Sequence, residues 1–217
     1  MGRNYGGDAA ASGPMRFSVQ ARQLGVFISL LPTLLLLPFE AQGAGPVVAF
    51  LGDSLTSGHS LPQSVAYPAL LERSLGITAI NAGVSGNMTA DGLARLARDV
   101  LVHQPQIVVV ELGINDHLRR LPAESSLRNL DEIARRIRQT GARLVLLHVS
   151  PVFGPDPLLR GLRDLARRYQ AVLVEDLLRG IITEPDLRVD RLHPNARGHQ
   201  KMADRLRPVL AKLLRSL

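Results

Sequence analysis

Five short aliphatic runs, each ending in polar or glycine-bearing residues, set the limits on what this chain can become. They are Val47–Leu51, Ile77–Ile80, Ile107–Leu112, Ala142–Val149 and Ala171–Val174. Unbroken apolar runs of this length describe strands buried on both faces, as in parallel sheets. Between them, Tyr67–Leu75, Thr89–Leu101, Glu124–Gln139 and Leu158–Tyr169 carry apolar residues at helical spacing. Such alternation predicts a three-layer α/β/α domain around a five-stranded parallel sheet. Thr89 and Asn195 are expected to cap helices, Gly76 and Gly141 to close them, and Pro208 to bend or end the last one. Residues 81–87 and 117–123 read as loops, and 176–189 as a helical turn before an irregular stretch.

In a parallel sheet, the residues that follow the strands meet along one carboxyl edge. The first run breaks into Gly52-Asp53-Ser54, where Gly52 is expected to permit a sharp turn. The second passes into Asn81-Ala82-Gly83-Val84-Ser85-Gly86-Asn87, the third into Gly113-Ile114-Asn115-Asp116, and Asp190-Arg191-Leu192-His193 comes after the fifth. A serine in a turn ordinarily bonds local backbone. Convergence changes that reading. A hydroxyl (Ser54), a flexible N–H (Gly86), an amide donor (Asn115) and an imidazole (His193) preceded by an acid (Asp190) are what acyl transfer needs. Asp53 and Asp116 are expected to brace loop backbone, and His148 to be a packed, satisfied polar residue. His59, His103, His117 and His199 show no metal-ligand spacing, so neither metal nor cofactor is expected.

Composition narrows the classes further. The absence of cysteine excludes disulfides, thiolate metal sites and a cysteine nucleophile. With 46% hydrophobic residues, 4% aromatics and no Trp, the core must be aliphatic. The net charge of +7 comes from arginines scattered over helix faces, with few aromatics to stack bases; nucleic acid is not an expected partner. The charge would favour peripheral attraction to anionic lipid headgroups. Residues 1–43 read as a targeting leader: Arg16 and Arg22 precede the apolar stretch Leu24–Phe39, and Ala41-Gln42-Gly43 offers small residues for cleavage before Ala44. Met15 is an alternative start. The apolar stretch, interrupted by Pro32 and Pro38, is shorter than the roughly 20 residues of a membrane span. Residues 44–217 then form a single domain, expected to be periplasmic or secreted and monomeric.

The four blocks Gly52-Asp53-Ser54-Leu55, Asn81 to Gly86, Gly113-Ile114-Asn115-Asp116 and Asp190-Arg191-Leu192-His193 resemble the SGNH (GDSL) hydrolase family across essentially all of residues 46–217. Glu111 to Asp116 with Leu118-Arg119 is most similar to its periplasmic multifunctional thioesterase/lysophospholipase/arylesterase subgroup. The resemblance implies a flavodoxin-like strand order 2-1-3-4-5. It also implies roles: Ser54 as nucleophile, His193 as base, Asp190 as its orienter, and an oxyanion hole from the Ser54 N–H, the Gly86 N–H and the Asn115 amide. Asn87 departs from the acidic residue more usual in the subgroup, which leaves the polarity of that wall open. No G-x-S-x-G surrounds Ser54, which disfavours the α/β-hydrolase fold.

Loops 117–122 and 151–155 are expected to flank the cleft and offer Leu118, Leu121, Val152 and Phe153. An apolar surface beside a polar oxyanion site suits small acyl or aryl esters and thioesters. Two alternatives stand beside this reading. A carbohydrate O-deacetylase of the same fold is disfavoured by the scarcity of aromatics for sugar stacking. A non-catalytic ligand-binding protein is disfavoured by the complete set of catalytic residue types.

Overall fold

A computed structural model describes residues 45–151 and 154–217. The expected leader, residues 1–43, and Val152 and Phe153 lie outside the described residues. In chain order the main elements are β1 (Val47–Gly52), α1 (Ser54–Ser57), α2 (Tyr67–Leu75), β2 (Thr78–Gly83), α3 (Thr89–Asp99), β3 (Ile107–Glu111) and α4 (Ile114–Leu118). They continue with α5 (Ala123–Gln139), β4 (Arg143–Leu147), α6 (Leu159–Tyr169), β5 (Val172–Val174) and α7 (Ala196–Leu214). The five strands form one parallel sheet in the order β2-β1-β3-β4-β5, as the resemblance implied.

Alternate residues of β1, β3 and β4 feed opposite cores, which is why the central residues of these strands are apolar. Ala49, Leu51, Val108, Val110, Leu144 and Leu146 pack with residues of α3, α5 and α6. Val48, Phe50, Val109, Val145 and Leu147 pack with α2, α7 and the turns around Leu177 and Ile181. The register aligns the carboxyl ends: Gly52 pairs with Gly83 and Glu111, Glu111 with Leu147, and Leu147 with Val174. Every segment leaving these residues therefore starts from the same rim.

Several local expectations are corrected. Residues 81–83 belong to β2, because pairing with Phe50, Leu51 and Gly52 extends the strand beyond its aliphatic part. Thr89 is the first helical residue of α3, not its cap; Met88 holds that position, and the Asp91 carboxylate accepts from the Met88 N–H. The expected loop 117–123 begins inside α4. Of the two outcomes expected at Pro208, an end is excluded, because Pro208 lies within α7, which continues to Leu214. Met202, Ala203, Leu206 and Leu210 are buried on both sides of it, and that burial outweighs the lost backbone bond. Gly52 has no unusual φ. It is required by close approach, since a Cβ there would stand 1.9 Å from Thr56 Oγ1.

Candidate active site

Ser54 opens α1 immediately after β1, at the rim. Asp53 caps this short turn by accepting the Leu55 N–H at 3.0 Å. Beneath it, Tyr67 Oη lies 2.9 Å from Thr56 Oγ1, which donates to Glu111 Oε2 at 3.0 Å, and Glu111 also receives the Asp53 N–H at 3.4 Å. Burial, reinforced by the neighbouring Asp53 carboxylate, pushes the Glu111 carboxyl well up. A carboxyl group biased toward its protonated form thus sits beneath the turn that carries Ser54.

His193 reaches the rim on a turn pinned at both ends. Val189 N–H donates to the His193 carbonyl at 2.8 Å, and Asn195 N–H to the Leu187 carbonyl at 2.9 Å. Within the turn, Asp190 Oδ1 accepts the Leu192 and His193 amides at 2.7 and 2.8 Å. Asp190 Oδ2 stands 2.8 Å from His193 Nδ1, and His193 Nε2 stands 3.1 Å from Ser54 Oγ. Partial burial raises the Asp190 carboxyl, but the hydrogen bonds from the His193 ring and the two amides outweigh it and hold the group at about 2. An ionised carboxylate only accepts, so Nδ1 carries the ring proton and Nε2 turns its lone pair to Ser54.

Gly86 adopts a left-handed φ of +78°, which glycine tolerates without strain. Among the described residues, neither the Ser54 nor the Gly86 N–H has a protein acceptor. Asn115 Nδ2 donates to Asp53 Oδ2 at 2.9 Å and to the Asn87 carbonyl at 3.0 Å. The Asn87 side chain does not form a cleft wall; it accepts from Arg95 Nε at 2.6 Å. Arg95 also donates to the Ala82 carbonyl at 2.7 Å and the Gly52 carbonyl at 2.9 Å, lashing the ends of β1 and β2 to this loop. Asp116 accepts from Thr89 N and Oγ1 and from Ser126 Oγ, which locks α4 to α3 and α5.

Sequence reasoning missed Arg95 and Glu111. The signals were there: a charge interrupting an apolar strand, and an arginine on the inward face of an amphipathic helix. His148 is buried, accepting the Asp176 N–H at Nδ1 (3.3 Å), with Nε2 2.8 Å from Asp156 Oδ2.

A cleft of about 930 Å³ opens over Ser54, Asn115 and His193. Leu118 lines it, joined by Ile114, Val149, Leu178 and Ile182, with Arg179, Arg188 and Arg191 also on its walls. Leu121 does not line the cleft; it is exposed on the turn after α4. The wall supplied by Leu178 to Thr183 comes from the stretch whose sequence pattern was unclear.

A hydroxyl bonded to an imidazole, backed by a carboxylate at a parallel-sheet rim, defines the class of serine hydrolases. Residues 50–201 match the GDSL-like Lipase/Acylhydrolase family, and the chain belongs to it. The arylesterase of Vibrio mimicus is 34% identical over 185 residues, covering 80% of this chain and 92% of that one. The thioesterase 1/protease 1/lysophospholipase L1 of Escherichia coli is 30% identical over 184 residues, covering 79% and 86%. The crystal structure of TesA matches with a TM-score of 0.73 at 29% identity, covering 77% of this chain and 99% of that one. The protein is an ester-hydrolysing serine hydrolase.

Proposed function

We propose that the protein hydrolyses carboxylic esters and thioesters of acyl or aryl groups through an acyl-enzyme on Ser54. The observation that carries this reading is the chain Asp190–His193–Ser54, with contacts of 2.8 and 3.1 Å. Ser54 Oγ attacks the carbonyl carbon while His193 Nε2 takes its proton. The carbonyl oxygen becomes an oxyanion facing the Ser54 and Gly86 N–H groups and the Asn115 amide. Collapse breaks the ester or thioester bond, and His193 returns the proton to the departing alkoxide or thiolate. Water then attacks the acyl-Ser54 ester by the same path, releasing the acid. Asp190 stays ionised and steadies the imidazolium.

The substrate class follows from the cleft. Ile114, Leu118, Val149, Leu178 and Ile182 suit an acyl chain or aryl ring; the names of the Vibrio and Escherichia relatives support both leaving-group types. A fluorophosphonate probe tests the nucleophile. Wild-type protein should label at Ser54 and Ser54→Ala should not; labelling that survives the substitution would overturn the assignment. A panel of p-nitrophenyl esters, acyl-CoA, lysophospholipid and acetylated sugar would rank substrates.

Residues 1–43 would direct export, leaving a monomeric domain in the periplasm. N-terminal sequencing of protein recovered from a periplasmic fraction checks this, with Ala44 as the expected first residue.

A further inference from the structure

His59 lies against the His193 ring, and the hydrolytic mechanism leaves it unused. It follows the turn that ends α1, and its N–H donates to the Ser54 carbonyl at 3.0 Å, so it is tied to the nucleophile turn. The two imidazole centroids are 4.3 Å apart, with the planes inclined by 32°. His59 Nδ1 lies 3.5 Å from Ser85 Oγ, its one side-chain bond among the described residues. One nitrogen from each ring and one Asp190 oxygen all lie within 4.8 Å of one another.

Two imidazoles and a carboxylate are the donors that a borderline divalent ion such as zinc prefers. Zinc bonds of about 2.0–2.2 Å place tetrahedral donors roughly 3.3 Å apart. Closing the group onto an ion therefore takes side-chain shifts of about an ångström, which partly exposed His59 and exposed Asp190 can supply. Water would complete the coordination.

We propose that His59, Asp190 and His193 form a chelating site for a zinc-class divalent ion, and that an ion held there switches the hydrolase off. The binding half rests on these three side chains alone; the inhibition half rests on the proposed catalytic role of His193. Coordination at Nδ1 moves the ring proton to Nε2, and coordination at Nε2 occupies that atom directly. In both cases the lone pair facing Ser54 is lost, so no base remains to take the hydroxyl proton. His59 supplies the third donor; without it the ion is left with a histidine and an aspartate already bonded to each other. No sequence spacing signals this site, because the ligands come from opposite ends of the domain.

The test titrates zinc into chelator-treated protein while following two readouts, competition with a chromogenic zinc indicator and hydrolysis of a short p-nitrophenyl ester. Wild-type protein should bind one ion and lose its turnover at micromolar zinc, with full recovery on adding EDTA. His59→Ala, or His59→Gln should the smaller residue disturb the turn, should keep the metal-free rate. Either should need at least about tenfold more zinc for half-inhibition and for half-saturation. His117→Ala, in the same cleft, should respond to zinc as wild type does. Wild-type indifference to zinc, or unchanged zinc curves in both His59 variants, would overturn the site. If the ester is not hydrolysed at all but zinc binding still depends on His59, the site stands and the hydrolytic reading is what fails.

Discussion

Asn115 Nδ2 donates to Asp53 Oδ2 at 2.9 Å, so the amide is held in place from behind by a residue of the nucleophile turn. Its other proton is engaged by the Asn87 carbonyl at 3.0 Å. In the proposed mechanism an oxyanion that accepts from Asn115 would share or displace one of these bonds. Asn115→Ala should therefore lower kcat by about 10²–10³-fold with KM little changed. Asp53→Ala should lower kcat in the same direction by loosening the amide. Steady-state kinetics on a p-nitrophenyl ester read both, and a change confined to KM would refute the assignment.

The Asp190 carboxylate accepts from the His193 ring and from the Leu192 and His193 amides. Asp190→Asn offers an amide where a pure acceptor is needed and favours the wrong imidazole tautomer. Turnover should fall by up to about 10⁴-fold while the thermal midpoint moves little. Kinetics paired with a melting curve separate this from unfolding.

Burial and the adjacent Asp53 raise Glu111 well above its ordinary 4.5. The folded state then holds a proton that the unfolded state releases, so stability falls as pH rises above about 4.5. Glu111→Gln keeps the acceptor for Thr56 Oγ1 and has nothing to ionise. It should raise the melting temperature at neutral and alkaline pH, leave it unchanged at acidic pH, and retain activity. Denaturation curves across pH test the sign.

His199 behaves in the opposite sense. It is buried and accepts the Tyr67 N–H at 3.2 Å, and burial, aided by His193, lowers it from 6.5 to about 4. Its contribution is complete above pH 6.5 and is lost as pH falls toward 4, when the unfolded chain takes a proton the folded one does not. The loss is on the order of 3 kcal/mol. His199→Gln should flatten the stability profile in that window, measured by urea denaturation at a series of pH values.

Leu118 lines the cleft beside Ser54, whereas Leu121 does not. Leu118→Asp should shift the preferred p-nitrophenyl ester toward shorter acyl chains, and Leu121→Asp should leave the chain-length profile unchanged. Equal profiles for wild type and Leu118→Asp would remove Leu118 from the acyl site.

How much was legible beforehand differs from residue to residue. Asn195 was readable as a cap because its side chain bonds the Arg197 and Gly198 amides of its own turn, a local interaction. Thr89 was misread because Asp116, from another strand end, takes both its hydroxyl and its N–H. Pro208 does not end α7 because the burial of Met202, Leu206 and Leu210 around it outweighs the local penalty that the sequence displays. Residues 176–189 carried no clear period, since they wrap the rim as turns and a single 3₁₀ segment, Pro185–Leu187.

The amino-acid order alone determined the strands, most of the helices and the membership of Ser54, Gly86, Asn115, Asp190 and His193 in one rim. Burial on both faces leaves unbroken aliphatic runs, and parallel strands deliver their ends to one side. Only the tertiary structure decided that Nε2 faces Ser54, that Arg95 braces Asn87, that burial raises the Glu111 carboxyl beneath the turn, and that the His59 ring lies against His193. Those relationships join groups from distant parts of the chain; their geometry and protonation exist only once the sheet has excluded water and fixed its register.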